Sequence, residues 1–261
     1  MTNIQQLLDI MIRLRDPEKG CPWDQKQSYQ SIVPHTLEEA YEVADAIESG
    51  DFDGLRDELG DLLFQIVFYA QLAKEESRFD FSDIVDAISD KLIRRHPHVF
   101  ADMSFDNAEQ QTAHWEATKA QERMGKKKEI LSQLDGVVKG LPALSLARKL
   151  QSRAARVGFD WPSAQGVFAK LEEEANECRE AWDDDQARSE ELGDLLFTCV
   201  NLSRHADVDP EQALRMANQK FEQRFRMMET IANQSGEQLE ELSESHWEAL
   251  WEQAKQKMDN K

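Results

Sequence analysis

The sequence lacks long hydrophobic runs and is poor in cysteine. Its most apolar stretch, residues 62–73, is broken by two glutamines and is shorter than the roughly 18 residues of a membrane span. The three cysteines, Cys21, Cys178 and Cys199, form no CxxC pair, and their odd number argues against a disulfide framework. We therefore expect a soluble protein of the reducing cytoplasm that does not enter a membrane.

Basic residues are outnumbered by acidic ones. The chain has 31 lysines and arginines against 51 acidic residues, a formal net charge of −20. Such a surface repels nucleic-acid backbones and anionic lipids, so neither is an expected partner. There is no GxxxxGK[ST] phosphate loop, and no histidine follows a glutamate at the Glu-x-x-His spacing of di-iron bundles. A phosphate-bearing ligand would need a locally bound cation.

Apolar residues recur at helical intervals along most of the chain, and no alternating strand pattern stands between turn signals. The seven prolines are expected at turns or helix starts, and Asp51 is an expected helix N-cap. These patterns predict an all-α fold. The clearest amphipathic face is formed by Leu55, Leu59, Leu62, Leu63, Ile66, Val67 and Ala70.

Several phrases occur twice in the same order. DELGDLLF at residues 57–64 returns as EELGDLLF at 190–197, and WEATK at 115–119 returns as WEQAK at 251–255. The glycines and lysines between the halves are typical of a connecting segment. The chain is therefore predicted to be a tandem repeat of two helical-bundle modules. The expected boundaries are 1–120 for the first module, 121–140 for the linker and 141–261 for the second module.

Each module contains a set of acidic residues at helical spacing. In the first, EExxE begins at Glu38 and is followed by Glu58 and Asp61, one turn apart on the next helix. If the two helices are antiparallel neighbours, four or five carboxylates converge. Unit charges about 4 Å apart repel by roughly 4 kcal/mol at an effective dielectric near 20, so a cation would be needed. All-oxygen ligands suit Mg²⁺, which also takes phosphate oxygens of a substrate.

Two other interpretations of these residues remain open. An EExxE sequence in an acidic chain is often a solvated helix face, and Glu39 could close a capping box that begins at Thr36.

Gly60 and Gly193 each precede the aspartate of their module, although glycine costs a helix about 1 kcal/mol relative to alanine. We expect them to let a neighbouring helix or a phosphate approach the carboxylates, with the following leucines anchoring the helix to the core.

The paired EExxE and ExxD motifs, together with GCPWD at residues 20–24 and RRHPHVF at 94–100, resemble the all-α nucleoside triphosphate pyrophosphatase superfamily and, within it, the MazG family. The resemblance covers essentially the whole chain. It implies Mg²⁺-dependent hydrolysis of nucleoside triphosphates to monophosphate and pyrophosphate. The implied protein is a cytoplasmic homodimer that removes unwanted nucleotides from the nucleotide pool (house-cleaning).

The resemblance also assigns roles to individual residues. It implies outer-water binding or a catalytic base for Glu38 and Glu173. Substrate contacts are implied for Lys91, Arg95, Lys220, Arg224 and Trp251, with Trp115 the counterpart of Trp251. The implied metal ligands are Glu39, Glu42, Glu58 and Asp61 in the first module and Glu174, Glu177, Glu191 and Asp194 in the second.

Three functions fit this sequence. The first is a pyrophosphatase of broad specificity, and the second is a narrow enzyme of the dUTPase type. The third is a non-catalytic helical adaptor or nucleotide sensor that only binds metal. The modules need not both be active, and KFEQRF at residues 220–225 with the tryptophan-bearing C-terminal segment favours the second as the main catalyst.

Overall fold

The computed structural model describes residues 3–107, 110–112, 114, 115, 117–119, 122 and 132–259. Throughout these residues the regular structure is helical, and none of it is strand, as the periodicity predicts. Among the described helices, none is both long and apolar enough to cross a bilayer. The chain divides into two compact units, Met1–Glu122 and Arg123–Lys261. Half of the predicted linker, residues 121 and 123–131, lies outside the described residues.

The first unit is built around two long antiparallel neighbours. Residues Tyr29–Ser49 and Phe52–Glu75 pack closely along their length, joined by the short turn at Gly50 and Asp51. Gly50 adopts a left-handed φ of 74°, which favours glycine, and Asp51 caps the second helix by accepting from the Gly54 amide, as predicted. The helices are α1 (Asn3–Leu14), α2 (Pro22–Gln25), α3 (Tyr29–Ser49), α4 (Phe52–Glu75), α5 (Phe81–Arg95) and α6 (Pro97–Phe100).

Helix α3 begins earlier than the sequence pattern suggested. Ser28 and Ser31 form the capping box, so the box predicted at Thr36 is wrong: the Thr36 hydroxyl instead donates to the Ile32 carbonyl. Pro34 also lies inside this helix, against the expectation for the prolines. It stands only six positions into the helix and displaces one intrahelical hydrogen bond, a loss that the long packed contact with α4 offsets.

The first unit has an apolar core. Met11 of α1, Ile32 of α3 and Phe68 of α4 are the centre of an apolar cluster and have almost no exposed surface. Met11 is the buried residue of α1. Deep burial of such large side chains contributes about 1.5–3 kcal/mol each to folding.

The second unit repeats the long antiparallel pair. Helix α8 packs along α9, and α7 packs against α9 as α1 does against α4. A separate apolar cluster joins α10 to α11 through Met228, Ile231 and Leu250. The helices are α7 (Ala143–Ala155), α8 (Ala164–Glu180), α9 (Asp185–His205), α10 (Pro210–Ser235) and α11 (Glu244–Asp259), with a 3₁₀ turn at Leu239–Glu241.

The repeated leucines do not all face a core. Val67 and Ala70 of α4 are buried, but Leu59, Leu63 and Ile66 are exposed. The expectation that the leucines after the glycine anchor their helix to the core is therefore only partly right. Helical periodicity locates an apolar face, but it does not distinguish a face covered within the unit from one left outside.

Candidate metal and nucleotide site

In the first unit, three predicted acids converge where α3 lies against α4. Carboxylate oxygens of Glu39, Glu58 and Asp61 all lie within 4.8 Å of one another. Because α3 and α4 run antiparallel, Glu39 on one helix faces the Glu58–Asp61 turn on the other. Three oxygen ligands at this spacing are suited to a hard divalent cation.

Two acids of this triad have raised pKa values, because like charges and burial disfavour their ionised forms. Burial raises the pKa of Glu39 above its usual range, and the nearby charges of Asp61, Glu42 and Glu58 raise it further. Burial likewise raises the pKa of Glu58, with Glu42 and Asp61 acting in the same direction. The buried side chain of Gln65, 3.5 Å from the Glu39 carboxylate, opposes the shift on Glu39. A bound cation would remove this repulsion.

The second unit has the equivalent triad. Oxygens of Glu174, Glu191 and Asp194 lie within 4.8 Å of one another, and Glu174 is buried. Here a lysine accompanies the acids: Lys170 Nζ lies 2.7 Å from Glu174 and 2.7 Å from Glu173. The two carboxylates raise the pKa of Lys170, so it remains charged.

The remaining predicted acids lie outside the two triads. Glu42 is exposed, and its charge raises the pKa of Glu39 and of Glu58. Burial raises the pKa of Glu177, as do Glu174 and Glu191 while Lys170 lowers it. The two residues predicted to be catalytic differ in their neighbours: Glu38 lies 3.7 Å from His35, whereas Glu173 is paired with Lys170.

The two glycines leave open space. A Cβ atom added to Gly60 or Gly193 would meet nothing within 4 Å. The hypothesis that a neighbouring helix of the same unit approaches these glycines is therefore wrong. Approach of a phosphate at the same positions stays a prediction.

Of the substrate contacts predicted in the second unit, Arg224 and Trp251 lie side by side. The Arg224 guanidinium lies 5.8 Å from the Trp251 ring centroid, and Phe221 packs 5.5 Å from the same ring. Within the described residues, no hydrogen bond or ion pair connects Arg224, Lys220 or Trp251 to the acids of the triad. The structure places Lys220 on α10, one turn before Arg224.

In the first unit the equivalent arginine is already paired. Arg95 and Arg94 both donate to the Glu122 carboxylate, and this pairing lowers the pKa of Glu122 to about 2. Trp115 packs against Lys119, whose Nζ lies 3.7 Å from its ring centroid. Lys91 stands on α5, one turn before Arg95.

Sequence reasoning missed two residues of these sites. Lys170 stands one turn before Glu174, a spacing that indicates an i,i+4 ion pair and could have been noticed. Gln65 stands one turn after Asp61, where an apolar residue would continue the core face. Its burial beside Glu39 gave no signal in the pattern.

Comparison with known proteins agrees with this geometry. A family model described as the MazG nucleotide pyrophosphohydrolase domain matches residues 27–100 and 163–228, which contain both triads. The chain is 52% identical over 259 residues to the nucleoside triphosphate pyrophosphohydrolase of Escherichia coli strain K12, covering 98% of each. It is 46% identical over 251 residues to the nucleoside triphosphate pyrophosphohydrolase/pyrophosphatase MazG of Thermotoga maritima, covering 96% of this chain and 95% of that one.

Proposed function

The chain belongs to the MazG nucleotide pyrophosphohydrolase family, and on that premise we propose that it hydrolyses ribo- or deoxyribonucleoside triphosphates to the monophosphate and pyrophosphate with Mg²⁺. The observation that supports a Mg²⁺ site is the convergence of Glu174, Glu191 and Asp194, whose oxygens lie within 4.8 Å of one another. An all-oxygen, strongly acidic set fits Mg²⁺ better than a softer metal.

We propose that Glu174, Glu191 and Asp194 hold the ion, with Glu177 beside them, and that Glu39, Glu58, Asp61 and Glu42 form the equivalent set. When bound, Mg²⁺ would neutralise phosphate charge and acidify a coordinated water. Glu173 accepts the proton of the attacking water as the α–β anhydride bond breaks and pyrophosphate leaves. Lys170 Nζ lies 2.7 Å from this carboxylate and orients it.

The second unit is the proposed main catalyst because its cations are better placed. Arg224 lies over Trp251 and forms no ion pair with the described residues, so its charge is available to a phosphate. In the first unit, Glu122 already neutralises Arg95. We propose that the first unit binds metal and supports the fold, while Lys220, Arg224 and Trp251 contact the substrate in the second.

The triad test compares matched variants of the two units. Pure full-length protein is incubated with Mg²⁺ and a panel of ribo- and deoxyribonucleoside triphosphates, and pyrophosphate and orthophosphate are quantified separately. We expect Glu174→Gln to reduce pyrophosphate release by at least about 100-fold, and Glu39→Gln to have a far smaller effect. Equal activity of both variants and the wild type would refute the metal-site assignment, and release of orthophosphate alone would refute the bond assignment.

The exposed apolar residues beside the triads support a homodimer. Leu59 and Leu63 of α4, like Leu192 and Leu196 of α9, lie on the surface of their own units. Contiguous apolar surface of this kind is typically covered by another chain. Light scattering of the purified protein should give twice the mass of 30.1 kDa, and Leu63→Glu together with Leu196→Glu should shift it towards the monomer.

The cellular location also belongs to the proposal. The structure has three free cysteines, of which Cys199 is exposed. Free thiols and a nucleotide substrate both fit a reducing cytoplasm. Fractionation of cells should recover the protein with cytoplasmic markers.

A further inference from the structure

The carboxylate of Glu122 is held by two neighbouring arginines at the end of α5. Arg94 Nη2 donates to its Oε1 atom at 2.7 Å, and Arg95 Nε donates to its Oε2 atom at 3.2 Å. Arg95 Nη2 donates to the same Oε2 atom. The side chains of Arg95 and Glu122 are only 16% and 18% exposed. Both oxygens of the carboxylate are therefore engaged in a contact that is largely withdrawn from solvent.

The same geometry is used by guanidinium groups to bind phosphate. Hydrogen bonds between a guanidinium and an anionic oxygen are charge-assisted, and they are shorter and stronger than neutral ones. The planar fork of an arginine matches a carboxylate and a phosphate alike. Glu122 thus occupies two arginines that could otherwise bind the oxygens of a phosphate.

Arg95 is the first-unit counterpart of Arg224. The match follows from DKLIRR at residues 90–95 and QKFEQR at 219–224, in which Lys91 likewise corresponds to Lys220. Arg224 forms no ion pair with the described residues and lies 5.8 Å from the Trp251 ring centroid. Of two equivalent arginines, one is neutralised by a carboxylate of its own unit and the other is not.

Two sequence differences between the units account for this contrast. The repeated WEATK and WEQAK segments place Glu122 and Met258 at equivalent positions, each seven residues after the tryptophan of its segment. In the DKLIRR and QKFEQR segments, Arg94 is matched by Gln223. The second unit therefore lacks both the carboxylate and the additional arginine at the positions from which the first unit neutralises Arg95.

We propose that Glu122 is an internal substitute for phosphate that keeps the first unit from binding a triphosphate, and that Arg94 holds it against Arg95. The inference rests on the proposed function, because it takes Lys220 and Arg224, and hence their first-unit counterparts, to contact phosphate. It makes Glu122 the residue that restricts polyphosphate binding to the second unit. The acid triad of the first unit can still bind a cation.

Titration of the full-length protein with inorganic tripolyphosphate in saturating Mg²⁺, followed by calorimetry, tests this inference without involving a base. We expect the wild type to bind one tripolyphosphate per chain. Glu122→Gln, which keeps an oxygen but loses the charge, and Glu122→Met, which copies the second unit, should each bind two. Adding Arg95→Leu to Glu122→Met should return the number to one.

The matched control is another arginine–carboxylate pair of the first unit. Arg15 Nη2 lies 2.6 Å from the Glu75 carboxylate, and neither residue is a predicted substrate contact. Glu75→Gln should therefore bind one tripolyphosphate per chain, as the wild type does. A second site in this control would show that loss of any acidic charge is sufficient, and it would overturn the role of Glu122.

A reciprocal exchange does not depend on the folding of a Glu122 variant. Gln223→Arg together with Met258→Glu introduces the same contact into the second unit. This double variant should bind tripolyphosphate at least about tenfold more weakly, because a charge-assisted hydrogen bond then competes for Arg224. Met258→Gln, which adds no charge, should bind as the wild type does.

The outcomes separate this inference from the proposed function. Two sites in the wild type, a single site in folded Glu122→Gln protein, or undiminished affinity in the reciprocal double variant would each overturn the inference and leave the proposed hydrolysis intact. Failure of the wild type to bind tripolyphosphate or any nucleoside triphosphate would overturn the proposed function and this inference with it.

Discussion

The first acid triad should weaken its own unit until a cation is bound. Glu39→Gln removes one charge and keeps a carbonyl oxygen beside Gln65. The Glu39 and Asp61 oxygens lie within 4.8 Å. At that separation two unit charges repel by about 1 kcal/mol at the dielectric of water and by about 3 kcal/mol at an effective dielectric of 20. Because Asp61 is exposed, we expect a stabilisation near the lower value.

Hydrogen exchange of the α4 amides, followed by mass spectrometry without divalent ions, measures this change within the first unit. A gain of about 1 kcal/mol should slow the most protected amides about fivefold. Glu174→Gln is the matched control and should instead speed exchange in α9, because Glu174 is buried and paired with Lys170. Unchanged or faster exchange in Glu39→Gln would refute the repulsion between the carboxylates of the triad. Added Mg²⁺ should slow exchange in the wild type more than in this variant.

Three further predictions concern stability. Pairing with Arg95 and Arg94 lowers the pKa of Glu122 from 4.5 to about 2. The ion pairs therefore add to the free energy of unfolding above about pH 4.5, and this stabilisation is lost as the pH falls towards 2. Urea unfolding should show the wild type losing its advantage over Glu122→Gln across that range. Phe68→Ala should destabilise the first unit by about 3–5 kcal/mol, measured by exchange in α4, because Phe68 is fully buried. Asp51→Ala should cost about 1 kcal/mol by removing the cap at Gly54, and Asp51→Asn, which can still cap, should cost less.

Much of the fold followed from periodicity, and the exceptions have physical causes. The helical pattern and the Asp51 cap were predictable because both depend on local spacing. The start of α3 was not, since Ser28 caps the helix through Ser31 although no Glu or Gln stands at the third position. Pro34 was misjudged because packing against α4 overrides its local cost.

The acids of the site were predictable in kind, while their surroundings were not. Spacing on adjacent helices placed Glu39 opposite Glu58 and Asp61, and the structure brings these three together. Gln65 and Lys170 complete the environment of the acids from the same helix pairs, and their burial and pairing depend on how those helices pack. The α1–α4 and α7–α9 contacts are formed by residues far apart in sequence, so the pattern of one helix gives no information about them.

The two copies share the acid triad but differ in the residues around it. Both units bring three carboxylates within 4.8 Å of one another. A cavity of about 580 Å³ borders Gln151 in the second unit, and one of about 390 Å³ borders Met11 in the first. Met11 and Phe68 are fully buried and contribute to the stability of the first unit. Retention of both acid sets, while Arg95 is neutralised by Glu122 in the first unit and Glu174 is paired with Lys170 in the second, is what we expect if the two units differ in their contacts to substrate and not in binding metal.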